Sequence, residues 1–267
     1  MRQRYSPAEM ALRELGISDP KDIDLEVIAW HRKATVKYRS LESCEARIVG
    51  FGDHAVITVD DQKARTRTRV RFSLAHELGH WHHHRGRAFV CRADEIGDRT
   101  RGALDPERVA DGYAADLLLP AFLFRSMASG LKKVSLDGAE KLADAFSTSL
   151  TATAIRLVEL GPEPAMLVCH GRRGRRWFVR GPGVPEHWFP MAELDPNSFA
   201  FDAVFGDKPK SRLGLMGAEA WFDRRGADRF EVLEQSWRVV DGEAISLIIF
   251  QDGEMLSEGG KHNGWKR

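Results

Sequence analysis

The sequence is poor in cysteine and has no long apolar run, and both scarcities narrow the class of protein. Only three of its 267 residues are cysteine (Cys44, Cys91 and Cys169), and no two form a C-x-x-C pair. So sparse a set argues against a disulfide framework and is typical of a reducing compartment. The longest apolar stretches, 117–124 and 245–250, are far shorter than the roughly 20 residues of a membrane-spanning helix. The first ten residues hold no apolar run of the signal-peptide type, so we expect a cytoplasmic protein without membrane contact.

A charge excess of either sign is also missing. Lysine and arginine total 40 and aspartate and glutamate 39, which gives a formal net charge of +1. The chain therefore has no overall positive field to hold DNA by counterion release, and any nucleic-acid contact must come from a local patch. Hydrophobic residues make up 43% and charged residues 30%, a balance that supports packed cores and excludes a wholly disordered chain.

The order of the periodic segments divides the chain into three predicted domains. Residues 1–130 mix helical and strand patterns and predict an α+β domain, which begins with a capping box at Ser6–Glu9. Residues 131–163 form a helical pair like a helix-turn-helix, and 164–267 predict a β-rich domain. Helices are expected over 7–15, 24–34, 69–84, 106–119 and the pair within 133–161; strands are expected over 35–41, 46–51, 54–59, 165–171, 176–181, 230–240 and 244–251.

The residue pattern that carries chemistry is H-E-x-x-H at His76–His80. Two histidines four apart on a helix lie about 40° apart around the axis and about 6 Å apart along it. Such a pair can bind one zinc ion at about 2.0–2.1 Å from each ring. Glu77 points to the adjacent face, where it is a candidate general base and later a proton donor to the leaving amine. Gly79 weakens the helix, and we expect it to clear space beside the metal.

A histidine-rich surface helix is the alternative interpretation of this segment, because three more histidines follow at 82–84. The apolar flanks Phe72, Leu74 and Leu78 favour a buried helix instead.

A catalytic zinc site needs a third protein ligand and an open position. His84 lies about 12 Å along the axis from His76 and cannot complete the same site. The metzincin pattern fails too, because it requires glycine and histidine where the chain has His83 and Gly86. Glu107 opens the next predicted helix and can face the histidine pair if the two helices pack antiparallel. An acid at a helix N-terminus is equally explained by the helix dipole, so spacing alone leaves both roles open.

Asp111 follows Glu107 by one helical turn and lies on the same face. From there its carboxylate can accept the Nδ1–H of a histidine that binds the metal. Carboxylates behind metal ligands commonly orient the ligands in this way.

Two runs resemble the ImmA/IrrE family of zinc metallopeptidases: R-F-S-L-A-H-E-L-G-H at 71–80 and E-x-x-A-D-x-Y-A-A-x-L-L-L-P at 107–120. The family patterns are close to R-F-T-L-A-H-E-L-G-H and E-x-x-A-N-x-F-A-A-x-L-L-M-P. The chain departs from them mildly, with Asp111 for asparagine, Tyr113 for phenylalanine and Leu119 for methionine. The resemblance covers roughly residues 6–161. It implies a zincin-like domain with a small antiparallel sheet, metal ligands His76, His80 and Glu107, and Glu77 as the catalytic glutamate.

The resemblance also implies a function. Family members cut a helix-turn-helix repressor of the XRE type and so relieve repression in stress or mobile-element responses. The C-terminal domain would then be a sensor or substrate-recognition module, or only a brace. Zinc is the expected metal, although manganese also suits two histidines and a carboxylate. We further expect the strand 54–59 to be a sheet edge, to which an extended substrate could add.

The other hypothesis is a regulator without enzymatic activity, which binds a repressor or DNA through the helical pair 142–161. That pair carries only Arg156 as a base-reading side chain, which favours a structural linker or a substrate-docking element.

Two arginine-rich segments also have ordinary interpretations. The alternating series Lys63, Arg65, Arg67, Arg69 and Arg71 predicts a solvated loop and first helical turn with one or two ion pairs. The run 172–176 predicts an exposed hairpin turn, with phosphate contact as the minority interpretation.

Overall fold

A computed structural model describes residues 5–42, 44–62, 66–85, 89–91 and 105–257. The chain forms two compact units: Met1–Ser126 with Leu142–Ser149, and Met127–Lys141 with Leu150–Arg267. The division into 1–130, 131–163 and 164–267 stays a prediction. Within the described residues, no helix has the length and apolar character needed to cross a membrane.

The chain up to residue 129 has the predicted α+β composition. The helices and strands expected there are present within a few residues of their predicted ends, while β4 and α5 were not predicted. In chain order the elements are α1 (Pro7–Glu14), α2 (Leu25–His31), β1 (Ala34–Arg39), β2 (Ala46–Phe51), β3 (His54–Asp60), α3 (Arg67–His83), β4 (Phe89–Cys91), α4 (Pro106–Leu118) and α5 (Ala121–Ser129).

The capping box predicted at the start of α1 is present. The Glu9 amide donates to Ser6 Oγ, and Glu9 Oε2 accepts from the Ser6 amide at 2.9 Å. The other oxygen of the Glu9 carboxylate accepts from the Ala121 amide at 2.8 Å. One acidic side chain therefore stabilises the start of α1 and ties it to the start of α5.

The sheet of the first unit has the order β1-β3-β2-β4. β2 and β3 form an antiparallel hairpin around Gly52, whose φ of 60° suits a tight turn. β1 runs parallel to β3, so the sheet is mixed and not purely antiparallel as expected.

The expectation that strand 54–59 is a sheet edge is wrong. This segment is β3, which is hydrogen-bonded to β1 on one side and to β2 on the other. The burial of Ile57 and Val59 concerns the faces of the sheet, whereas the edge that the β2–β3 hairpin leaves open is covered by the parallel strand β1. Among the described strands, β1 and β4 form the two edges.

The rest of the chain begins with the predicted helical pair and continues as a β-rich region. The four predicted strands are present, while α8, β7 and α9 were not predicted. The elements are α6 (Leu136–Phe146), α7 (Leu150–Leu160), β5 (Ala165–Gly171), β6 (Gly174–Arg180), α8 (Phe199–Phe205), β7 (Gly214–Gly217), β8 (Glu231–Val240), β9 (Glu243–Phe250) and α9 (Gly253–Leu256).

These strands form an antiparallel sheet of order β6-β5-β9-β8-β7. Gly242 has φ 67° in the predicted hairpin turn between β8 and β9. On one face of the sheet the Glu234 carboxylate is buried and accepts from the Ala200 amide, Trp221 Nε1 and Ser236 Oγ at 2.7–3.0 Å. These donors offset the cost of burying an acid and fix α8 and Trp221 against the sheet.

Candidate metal centre

Helix α3 carries the H-E-x-x-H motif through the interior of the first unit. It begins at Thr66, whose hydroxyl accepts from the Arg69 amide, and every residue from Ser73 to Trp81 is buried. His76 and Glu77 are 0% exposed and His80 is 1% exposed. The alternative of a solvated histidine-rich helix is therefore wrong for this stretch, although His83 beyond it is exposed.

Helix α4 brings the acidic residues. Asp105 caps it by accepting from the Glu107 amide at 2.9 Å, and Pro106 occupies its first turn. Glu107 thus lies at the helix N-terminus, as the dipole interpretation requires, and its side chain also reaches the histidines of α3. The two interpretations of Glu107 are compatible.

The donor atoms of three residues converge between the two helices. His76 Nε2 lies 3.1 Å from Glu107 Oε2, and His80 Nε2 lies 3.3 Å from Glu107 Oε1. The two histidine Nε2 atoms are 3.0 Å apart. The donor atoms of His76, His80 and Glu107 all lie within 4.8 Å of one another. Among the described histidine, cysteine and acidic side chains, these three form the group that could hold a metal ion.

These distances fit a tetrahedral ion. Two ligand atoms that each lie about 2.0–2.1 Å from a zinc ion at the tetrahedral angle are about 3.3 Å from each other. The measured separations of 3.0–3.3 Å are close to that value. Two neutral imidazoles and one carboxylate are also the donor set of known catalytic zinc sites.

Asp111 lies behind the first histidine. Its Oδ1 is 2.9 Å from His76 Nδ1. An N–H at Nδ1 donates to this carboxylate and leaves the lone pair of Nε2 directed at Glu107 and His80. The structure thus places Asp111 where the spacing predicted it.

The electrostatics of the trio favour a positive charge among the donors. Burial lowers the pKa of His76, but its hydrogen bonds to Asp111 and Glu107 outweigh burial and leave the pKa raised. For the Glu107 carboxyl, burial acts in the opposite direction and raises the pKa. The hydrogen bonds and positive charge of His76 and His80 outweigh burial and hold that pKa well below its usual range. The two acids therefore stabilise a cation bound at this position, whether proton or metal.

Glu77 lies on a neighbouring face of α3, together with Ser73 one turn earlier and Arg69 two turns earlier. This face meets the start of β2, where Glu45 Oε2 accepts from Arg69 Nε at 2.6 Å and from Ser73 Oγ at 3.1 Å. The pKa of the neighbouring Cys44 thiol is raised, mainly by burial, with a contribution from the charge of Glu77. Glu77 is therefore not one of the converging donors, but its charge contributes to the raised pKa of His76.

Sequence reasoning missed Glu45, because an acid before a strand usually stays in solvent. Its partner Arg69 confirms that the basic series at 63–71 includes an ion pair. Lys63 and Arg65 of that series lie outside the described residues.

The expected role of Gly79 needs correction. A Cβ atom on Gly79 would meet the backbone of Ala110 in α4 and not the metal site. The absence of a side chain lets the two helices approach closely, which in turn brings Glu107 to the histidines.

Two comparisons with known proteins give matches. Residues 31–158 match the model of the Peptidase M78 family, described as an IrrE N-terminal-like domain. A solved structure described as a Mycobacterium tuberculosis transcriptional regulator superposes with a TM-score of 0.58 at 15% identity, over 91% of this chain and 86% of that chain. At this identity the likeness bears on the fold alone. A comparison with curated proteins gives no significant match.

Proposed function

Because residues 31–158 match the model of the Peptidase M78 family, we propose that the chain is a zinc-dependent endopeptidase. The observation that carries the proposal is the convergence of His76, His80 and Glu107 donors at 3.0–3.3 Å inside a buried helix pair. These three residues would hold the ion, and Asp111 would orient His76. When bound, zinc supplies a Lewis acid that polarises the scissile carbonyl and makes water more acidic.

Glu77 supplies the proton transfers. Its carboxylate accepts a proton from the water that attacks the peptide carbonyl, and the same oxygen then returns the proton to the leaving amine. Its position next to His76 in sequence, but on the adjacent helical face, keeps it out of the ligand set and free to act on the attacking water. The Arg69–Glu45–Ser73 hydrogen bonds fix the rotation of α3 and hence the direction of this face.

The substrate we propose is a helix-turn-helix repressor of the XRE type, whose cleavage relieves repression. The support is the resemblance of the two motif runs to the ImmA/IrrE family. The experiment is to incubate the purified, zinc-loaded full chain with such a repressor encoded beside it, and to identify the cut bond by mass spectrometry.

Glu77→Gln separates catalysis from binding. This variant should keep its zinc, because Glu77 is not a ligand, and should lose cleavage by at least about a hundredfold. In cells it should also fail to relieve repression. If it relieves repression as well as the wild type does, the chain acts instead as a regulator without enzymatic activity, through its helical pair or its C-terminal region.

A further inference from the structure

The second unit carries a group of arginines and aromatic rings on β6 and the loops near it. We call this group the arginine–aromatic cluster; it consists of Arg175, Phe178, Arg180, Trp188, Phe189 and Arg224. Strand β6 is an edge of the five-stranded sheet, so the cluster lies at the margin of that sheet.

A β-bulge places two of the arginines on one face. Along β5 the residues Met166, Val168 and His170 alternate regularly, and they pair with Arg180, Phe178 and Arg175. Arg176 is the extra residue of β6 at the register shift. The bulge therefore turns Arg175 to the same face as Phe178 and Arg180, whereas plain alternation would place Arg175 and Phe178 on opposite faces.

The guanidinium groups lie over the rings. Arg175 Cζ is 4.5 Å from the centroid of the Phe189 ring and 5.4 Å from that of Phe178. Arg180 Cζ lies 5.4 Å from the Phe178 centroid, and Arg224 Cζ lies 5.3 Å from that of Trp188. The Phe178 and Phe189 centroids are 5.1 Å apart. The cations are thus preorganised by ring faces, which orient them without neutralising them.

The hydrogen bonds of these arginines likewise go to neutral groups. Arg175 donates to the Pro190 carbonyl, and Arg180 donates to the Glu186 and Trp188 carbonyls. In the part of the chain that the structure describes, neither arginine forms an ion pair with a carboxylate, and the same holds for Arg224. The nearby Arg172 and Arg176 differ, because they pair with Asp241 and Glu243.

The half-buried His187 lies near two of these arginines. Its pKa is lowered by burial first, and then by the positive charges of Arg224 and Arg180. The three arginines, held over neighbouring rings, therefore bring positive charge together in a chain whose net charge is only +1. Within the cluster, Phe189 leaves 54% of its surface in solvent, so its ring is accessible to a ligand.

We propose that the arginine–aromatic cluster binds single-stranded nucleic acid. The guanidinium edges left over from the carbonyl contacts would bind consecutive phosphates, and the exposed Phe189 ring would stack on an unpaired base. An exposed ring favours a single strand over a duplex, whose bases are already stacked. An acidic peptide would use the charges but has no flat partner for the ring. This function is separate from peptide hydrolysis and does not require the metal centre.

The test is fluorescence anisotropy of a labelled 20-nucleotide oligo(dT) titrated with the full-length protein. Three phosphate contacts predict a slope of about −2 in log affinity against log salt, or roughly a twentyfold loss from 50 to 200 mM salt. Arg224→Gln should reduce the slope by about 0.7, the contribution of one phosphate in a single strand. Phe189→Ala should weaken binding about fivefold or more at every salt concentration.

Arg172→Gln is the control, since it removes an arginine of the β5–β6 hairpin, which also carries Arg175 and Arg180, but one that is already paired with Asp241. This variant should bind oligo(dT) within about twofold of the wild-type affinity. An arginine that is already paired with a carboxylate adds little to the release of counterions from the strand. Circular dichroism of each variant checks that the fold is retained. The proposal is overturned if the protein does not bind oligo(dT) at 50 mM salt, or if Arg172→Gln weakens binding as much as Arg224→Gln does. It is also overturned if a 20-base-pair duplex binds more tightly than oligo(dT). Binding of poly-glutamate without binding of oligo(dT) would also overturn it and would indicate an acidic protein partner.

Discussion

Gly79 of α3 lies against the backbone of Ala110 in α4. A Cβ atom on Gly79 would be 2.9 Å from Ala110 Cα, 2.9 Å from Ala110 O and 3.1 Å from Tyr113 Cβ. Two of these atoms belong to the backbone, so α4 itself would have to shift to admit a methyl group. The approach of the helices at this glycine sets the distance between Glu107 and the histidine pair.

Gly79→Ala should therefore damage both stability and the metal site. We expect a loss of about 1–3 kcal/mol in the free energy of unfolding, measured by urea denaturation, because the added methyl overpacks a buried contact. Zinc affinity should fall in the same variant as Glu107 moves away. Gly112→Ala is the control: this glycine of α4 has nothing within 4 Å of the added atom. That substitution should stabilise the protein by up to about 1 kcal/mol.

The composition of the ligand set can be tested with two histidines one helical turn apart. His80 belongs to the converging trio, whereas His84 Nδ1 lies 3.4 Å from His80 Nδ1, on the side away from Glu107. His80→Gln should abolish stoichiometric zinc, measured by elemental analysis after dialysis, while His84→Gln should retain it. Equal loss in both variants would contradict the assignment of the three ligands.

Asp111 should act on the metal through His76. Asp111→Ala should lower zinc affinity about 10–100-fold, as does removal of a carboxylate behind a ligating histidine in other proteins. Asp111→Asn should lose less, because the amide oxygen still accepts from Nδ1. Competition with a chelator measures both affinities; if the two variants lose affinity equally, the hydrogen bond to His76 is not the cause.

His170 should make the stability of the second unit depend on pH. Its ring is 1% exposed, and burial lowers its pKa to about 4, despite a hydrogen bond to the Met191 carbonyl. The unfolded chain binds a proton near pH 6.5 and the folded chain only near pH 4, so the contribution to stability is complete above pH 6.5 and is lost as the pH falls towards 4. The total effect is about 3 kcal/mol. Urea denaturation of His170→Gln should show a shallower decline over this pH range than the wild type shows.

Local sequence patterns predicted most of the elements. The capping box at Ser6, the proline at 106 and the four-residue spacing of His76 and His80 each depend on backbone geometry within a few residues. For that reason helices α1, α3 and α4 were placed within a few residues of their ends. The strand patterns of β5, β8 and β9 were equally clear, because apolar residues and a turn glycine mark them in the chain.

The elements that were missed are short or lack a strong period. Strands β4 and β7 have three and four residues, too few for a periodic signal. The buried acid Glu45 was missed for a different reason: its partner Arg69 lies 24 residues away. No local pattern marks such a pairing.

The sequence by itself determined that one helix presents two imidazoles to a common point with Glu77 beside them, because helical periodicity is a property of neighbouring residues. Only the tertiary structure decided that β3 lies inside its sheet, that α3 and α4 meet at Gly79 and Ala110, and that a bulge turns Arg175 towards Phe178. Those features depend on contacts between segments distant in the chain, and the balance of packing and hydrogen bonding among them is not contained in any one segment.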